Sequence, residues 1–295
     1  MRVLLSAFFW VYLALSLTVF WFAVAIPWLC SLPFDRRRRF AHWYACVWAN
    51  HYISLSPFWE TEVTGLDRFD KNTSYVIAAN HQSIADIMVM FTTFRQFRWV
   101  SKHTVFYVPF MGWMMKMANY VGIRRGDPRS RQKMMDACRA HLNMGNSIMI
   151  FPEGTRSEDR QIRPFKRGAF QLAVDTQRPV LPILLDGTHD ALPKDTWIFR
   201  QQGKQKLQIH VLEPVDPADF DHDPERLKRH VRAVMIDGLA ALRARSAALE
   251  PGTDRPRSQG AEPSDADRHG RGAKTKTKAK PKVPARLSDG MRAGG

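Results

Sequence analysis

Ser74-Tyr75-Val76-Ile77-Ala78-Ala79 is an apolar run that leads straight into Asn80-His81-Gln82-Ser83-Ile84-Ala85-Asp86, and the reading of this stretch decides the fold. A short apolar run closed by a polar cluster predicts a strand. From Ile84 to Phe94 the apolar spacing becomes that of a helix. Strand, polar turn and helix form the unit from which parallel sheets are built. The succession recurs along the chain. Phe97–Val100, Ser147–Phe151, Val180–Leu185 and Leu207–Leu212 read as strands, and Pro128–Met144 and Gly168–Gln177 as helices. Gly145 stands where a C-cap is expected, and Pro224–Arg245 reads as a final amphipathic helix. The expected fold is α/β, a mostly parallel sheet covered by helices, over residues 60–250.

In such sheets ligands collect where strands end, and two strand ends carry chemistry. At the first, His81 is followed five residues later by Asp86 across a helix start. A carboxylate that accepts one imidazole N–H fixes the tautomer and leaves the other nitrogen to take a proton. Ser83-x-x-Asp86 is equally a capping-box pattern, in which the carboxylate reaches back to an orphan N–H. Both readings stand at this point. The second strand end is Phe151-Pro152-Glu153-Gly154-Thr155-Arg156-Ser157. There Glu153 and Arg156 either pair with each other or face a polar pocket. A carboxylate and a guanidinium beside a flexible turn suit a substrate bearing hydroxyl and phosphate groups.

The flanks differ from this middle. Val3 to Phe34 contains no Asp, Glu, Lys, Arg or His, and Arg36-Arg37-Arg38-Arg39 comes shortly after. A spanning helix needs only about 20 apolar residues. Six of the nine Trp lie within residues 10–59, which suits a bilayer boundary. Residues 1–59 are therefore expected to be a membrane anchor rather than a cleaved leader, with the arginines keeping the rest of the chain on the cytoplasmic side. Pro27 and Pro33 leave spanning and re-entrant forms open. Residues 40–59 read as a helix on the membrane surface or, alternatively, as a core helix of the next domain. Residues 251–295 hold 11 Lys+Arg and 5 Asp+Glu with few large apolar side chains, and are expected to be a disordered basic tail.

The whole chain has 295 residues, 44 Lys+Arg against 28 Asp+Glu and 45% hydrophobic residues, which excludes a wholly disordered protein. Three scattered cysteines exclude a disulfide framework. No GxGxxG, GxxxxGK[ST], HExxH or GxSxG pattern occurs, so neither a nucleotide loop, a tight metal cluster nor a nucleophilic serine is signalled. Asp175, Asp186, His189 and Asp190 lack metal-ligand spacing, and His210 reads as structural. Phe106–Met117 reads as a surface helix that packs on the core, dips into lipid or borders an acyl-chain groove.

Taken together, the motifs resemble those of the membrane-bound glycerolipid acyltransferases, in particular the 1-acyl-glycerol-3-phosphate acyltransferase family. NHQSIAD (80–86) is similar to that family's NHxxxxD block and FPEGTRS (151–157) to its FPEGTR block. Lys102, Pro109 and Gly112, the stretch Val121–Arg125, Phe165–Ala169 and Val180–Ile183 come in the family's order. Two places depart: His103-Thr104 replaces a usual acidic–Leu pair, and Arg124 stands where many members carry an acidic residue.

The resemblance implies transfer of an acyl group from acyl-CoA or acyl-carrier protein to the free hydroxyl of lysophosphatidic acid, giving phosphatidic acid for phospholipid biosynthesis. It implies His81 as the base, Asp86 as its orienting partner, and Glu153, Gly154 and Thr155 along the acceptor or oxyanion region. Arg125, Arg156 and Lys166 are implied as phosphate holders. No metal or cofactor is expected beyond the thioester co-substrate. The expected partners are membrane lipids, the acceptor and the donor, without specific nucleic acid, at the inner (cytoplasmic) membrane with the site on the cytoplasmic side. The alternatives are an acyltransferase for another lyso-lipid such as a lyso-aminolipid, a hydrolase using water, and a catalytically silent membrane scaffold.

Overall fold

The computed structural model describes residues 2–56, 58–192 and 204–249. The basic tail expected at 251–295 lies outside the described residues. Two helices come first, α1 (Arg2–Ser31) and α2 (Arg39–Leu55). The sheet strands are β1 (Trp59–Thr64), β2 (Val76–Ala79), β3 (Phe97–Lys102), β4 (Val121–Ile123), β5 (Ser147–Ile150), β6 (Val180–Asp186) and β7 (Gln205–Val211). The remaining helices are α3 (Ala85–Phe91), α4 (Met111–Met117), α5 (Pro128–Asn143), α6 (Gly168–Thr176), α7 (Thr188–Ala191) and α8 (Pro224–Leu249).

The described strands form one sheet in the order β1-β7-β6-β2-β5-β3-β4. Every neighbouring pair is parallel except β6 and β7. Side chains alternate between two cores. Ile77 and Ala79 of β2 face a core shared with α1 to α4, whereas Val76 and Ala78 face one built with α5, α6 and α8. With both faces covered, the central strands need apolar residues at every position, which is why they read as continuous runs. The strand and helix expectations for the middle of the chain hold to within a few residues. Helix α5 starts at Pro128 behind Asp127, whose carboxylate accepts the Arg129 and Ser130 N–H groups.

Three expectations change. Residues 3–31 form one continuous helix, so the re-entrant hairpin is excluded; Pro27 is accommodated inside it. Helix α2 buries Ala41, His42, Ala45, Cys46, Ala49, Tyr52 and Ile53, so it is a core helix on that face. Phe106–Met117 is not a single helix. A 3-10 turn spans His103–Tyr107 and α4 begins only at Met111, because Pro109 lacks an N–H and disfavours helical backbone at Val108.

The first helix also has two faces. One side is tied to α2: Tyr12 Oη lies 2.8 Å from His51 Nε2, Ser16 Oγ lies 2.6 Å from Tyr52 Oη, and Tyr44 Oη donates to Phe20 O at 2.9 Å. Near its end, Trp28 Nε1 donates to Met117 O at 3.1 Å. The opposite side leaves Leu4, Phe8, Leu15, Val19, Phe22 and Ile26 exposed at helical spacing.

Candidate active site

Strands β6, β2 and β5 are adjacent, and their C-terminal ends supply the polar groups. Asn80 closes β2 by clamping β6. Its Nδ2 donates to Leu185 O at 2.8 Å and its Oδ1 accepts the Leu185 N–H at 2.8 Å. The chain therefore leaves the sheet at a fixed height with His81 next in line.

Asp86 sits in the first turn of α3 and is fully buried. Its Oδ2 accepts the Gln82 N–H at 2.7 Å and the Ser83 N–H at 2.9 Å, and lies 2.8 Å from His81 Nδ1. Its Oδ1 accepts the Thr188 hydroxyl. One carboxylate thus makes both contacts that the sequence allows for Asp86, to the imidazole and to the backbone of the turn. An ionised carboxylate can only accept, so the contact assigns the proton to Nδ1. Nε2 makes no hydrogen bond among the described residues. The imidazole lies flat on the Phe151 ring, with centroids 3.9 Å apart and planes 9° from parallel.

Glu153 does something the motif alone does not reveal. Its Oε1 accepts the His81 N–H at 2.8 Å and its Oε2 accepts the Arg163 N–H at 3.0 Å. A second strap, Ser157 N–H to His81 O at 2.8 Å, runs between the same two turns. The 151–163 loop is thereby fastened to the His81 turn. Burial pushes the Glu153 carboxyl up to about 7, against the pull of the two backbone donors, with Asp86 adding to the rise.

Gly154 adopts φ +74°, and a Cβ there would meet Lys166 Nζ at 2.5 Å. Lys166 consequently lies across this turn, held by its own N–H to Pro152 O at 2.9 Å. Thr155 and Arg156 are half-buried in the same loop. Arg125 is exposed just past β4, two strand positions from β5 or roughly 10 Å. The structure therefore groups His81, Asp86, Glu153, Gly154, Thr155, Arg156 and Lys166, and leaves Arg125 at the edge. No motif points to Thr188 or to the Phe151 stack. The signal for Thr188 is positional, since it comes after the β6 run at a third strand end. Beneath it, Arg243 clamps Asp186 through Nε at 3.1 Å and Nη2 at 2.9 Å.

This is a histidine–carboxylate site on an α/β scaffold, with a lysine and an arginine on the adjoining loop. Residues 60–186 match the family described as Acyltransferase. A chloroplastic 1-acyl-sn-glycerol-3-phosphate acyltransferase of Brassica napus is 39% identical over 199 residues, 67% of this chain and 57% of its own length. Its counterpart in Arabidopsis thaliana is 37% identical over 175 residues, 59% of this chain and 49% of its own. The chain thus spans about half the length of these curated relatives. The crystal structure of the 1-acyl-sn-glycerophosphate acyltransferase PlsC from Thermotoga maritima superposes with a TM-score of 0.68 at 27% identity, covering 82% of this chain and 96% of that one.

Proposed function

We propose that this chain is an O-acyltransferase that moves a fatty acyl group from an acyl thioester to the free hydroxyl of lysophosphatidic acid, giving phosphatidic acid. The observation that carries the reading is the His81 ring, with Nδ1 held by Asp86 and Nε2 left open. Nε2 takes the proton of the acceptor hydroxyl as the oxygen attacks the thioester carbonyl. The tetrahedral intermediate collapses with cleavage of the C–S bond, and the departing sulfur takes the proton back from Nε2. Positioned proton transfer of this kind contributes about 10²–10⁴-fold. Asp86 and Glu153 are positioning residues, one for the ring and one for the backbone beneath it. Lys166 and Arg156 hold the acceptor phosphate, which is only a few bonds from the reacting hydroxyl.

The acceptor carries one fatty chain and resides in a bilayer. The exposed apolar stripe of α1 suits immersion in that lipid, while its inner face stays bonded to α2. We place the protein at the inner (cytoplasmic) membrane with the site on the cytoplasmic side, where Arg36 to Arg39 come after the apolar helix.

The test is mass spectrometry of lipids formed by purified protein in detergent, offered acyl thioesters with lysophosphatidate or with a lyso-aminolipid. Phosphatidate formation that disappears in His81→Ala, with the fold retained, is the expected result. Substantial turnover in His81→Ala refutes the base assignment. Selective use of the lyso-aminolipid refutes the acceptor, and release of free fatty acid alone refutes the transferase.

A further inference from the structure

The last helix reaches the site through two arginines. Leu227, Val231, Met235, Leu239 and Leu242 of α8 face the core that it shares with α5 and α6. Gly238 lets the helix lie close against the sheet, since a Cβ there would meet Leu184 Cδ1 at 3.0 Å. Arg232 and Arg243 are three turns apart and so emerge on one side of α8. Both reach the loop that carries Glu153. Arg232 donates to Ile162 O at 2.9 Å and to Arg163 O at 3.1 Å, and Arg243 donates to Arg160 O at 2.9 Å. Arg160 itself has φ +62°, left-handed backbone that persists in a residue with a side chain only where surrounding contacts hold it.

Arg243 also begins a second series of contacts, which leads to His81. Its Nε and Nη2 take the two oxygens of Asp186 at 3.1 and 2.9 Å. Asp186 Oδ1 accepts Gln82 Nε2 at 3.2 Å, and Gln82 follows His81 in the chain. Gln82 is therefore held between two aspartates, its side chain by Asp186 and its own N–H by Asp86 at 2.7 Å. The amide cannot turn over. Nε2 also donates to Leu185 O at 3.0 Å, so a flip would set Oε1 against a carbonyl and a carboxylate. It keeps this orientation although Oε1 is then buried without a hydrogen-bond partner, which lowers stability. Burial opposes ionisation of Asp186, yet the hydrogen bonds and charge of Arg243 outweigh it and hold the carboxyl below its ordinary value.

Neither a buried ion pair nor an unmet amide oxygen is a device for stability on balance. What the arrangement supplies is geometry, because one planar guanidinium addresses the end of β6 and the Glu153 loop together. We infer that Arg243 is a positioning residue for acyl transfer, its fork setting the His81 turn, through Asp186 and Gln82, against the Glu153 loop, through Arg160 O. The inference rests on the acyl-transfer reading and adds to it a residue one remove from the reacting atoms. No motif of the sequence marks Arg243, and α8 reads there only as an amphipathic helix.

Two substitutions cut the connection at different places. Arg243→Lys keeps a cation beside Asp186 but cannot hold both carboxylate oxygens and Arg160 O at once. Gln82→Met keeps the length of the side chain, breaks the contact to Asp186 and removes the unmet oxygen, while the ion pair stays. For each full-length variant the expected result is a kcat lowered at least about tenfold, toward the roughly 10²-fold that a misplacement of 1 Å costs. The KM for lysophosphatidate and for acyl-CoA should stay within about threefold of wild type, and the melting temperature of Gln82→Met should not fall. The double variant should lose at least about fivefold less than the product of the two single losses, because both interrupt one connection. Hydrogen exchange gives a readout that requires no turnover. The His81 N–H bonds to Glu153 and the Ser157 N–H to His81 O, so both join the two segments. Their exchange should quicken at least about tenfold in both variants while that of β5 and α5 holds.

An unchanged kcat in either variant overturns the assignment. So do single losses that simply multiply in the double variant. A loss of kcat accompanied by faster exchange throughout the sheet also overturns it, since Arg243 would then only support the fold. If wild type transfers no acyl group to any lysolipid, yet the His81 and Ser157 N–H groups exchange faster in both variants, the acyl-transfer reading fails and the clamp stands. If their exchange is unchanged in both, the clamp fails whatever the activity.

Discussion

Replacing Asp86 by Asn removes one negative charge at nearly constant shape, and the surroundings dictate how the amide sits. Oδ2 receives the Gln82 and Ser83 backbone N–H groups and faces Nδ1 of His81, whereas Oδ1 faces only the Thr188 hydroxyl. The Asn oxygen must take the Oδ2 position, because a flipped amide would confront two buried N–H donors with a third donor. Leaving two buried donors unmet costs about 2–6 kcal/mol at 1–3 kcal/mol each. The NH₂ group then faces the Thr188 hydroxyl, which rotates from donor to acceptor. His81 keeps its tautomer. The loss is confined to the charge on the hydrogen bond that supports His81 while it carries the substrate proton. Charged hydrogen bonds contribute about 1.5–3 kcal/mol against 0.5–1.5 for neutral ones, a difference worth roughly tenfold in rate. Single-turnover measurement with both substrates saturating should therefore show the rate reduced about tenfold, with the thermal transition lowered only slightly. That is far short of the about 10⁴-fold loss produced where an Asn imposes the wrong tautomer. A 10⁴-fold loss in a folded Asp86→Asn protein would falsify the claim that the two N–H groups pin the amide, and an unchanged kcat would remove Asp86 from catalysis.

Glu153, pushed up to about 7 chiefly by burial, has a folded value above its ordinary 4.5. It therefore adds stability of roughly 3 kcal/mol below its unfolded value, and this is lost as pH rises through the folded one. Glu153→Gln, neutral throughout, should flatten the dependence of melting temperature on pH between about 4.5 and 7; an unaltered slope refutes the assignment. Gly154→Ala forces a Cβ into left-handed backbone and against Lys166, at about 1–2 kcal/mol for the backbone. It should raise KM for lysophosphatidate several-fold with kcat little changed, and an unchanged KM would separate Lys166 from the phosphate. Leu15→Lys with Phe22→Lys places two charges on the outward stripe of α1; vesicle flotation should be lost while the melting temperature holds. Full flotation of the double variant would show that this stripe does not meet lipid.

The central strands were legible because burial on both faces leaves an unbroken apolar run, and the helices because Asp127, Pro128 and Gly145 mark the ends of α5. Strand β1 was not. Its sequence Trp-Glu-Thr-Glu-Val-Thr is half polar because the strand lies at the sheet edge, and it comes directly after an aromatic helix whose pattern absorbed Trp59. The break at Pro109 was visible in the sequence but was overridden by the apolar content around it. Within the site, the His81–Asp86 pair could be read because its members are five residues apart. The Thr188 contact to Asp86 spans 102 residues and the Glu153 contact to His81 spans 72. Local spacing carries no trace of either, since both are products of strand order.

That same strand order explains why the two carboxylates of the site cannot be read as purely catalytic or purely structural. Asp86 satisfies two backbone donors of the turn that presents His81 and also holds the ring. Glu153 satisfies one donor from each of two loops separated in the chain by three helix–strand units, α3–β3, α4–β4 and α5–β5. Removing either group as a whole leaves at least two buried N–H groups without partners, so alanine substitutions here should lose fold and activity together. For Asp86 the isosteric amide, which keeps one acceptor oxygen for both backbone donors while removing the charge, separates the service to the backbone from the service to the imidazole; in Glu153→Gln the NH₂ group must face one of two backbone N–H donors, so that variant loses a backbone hydrogen bond as well.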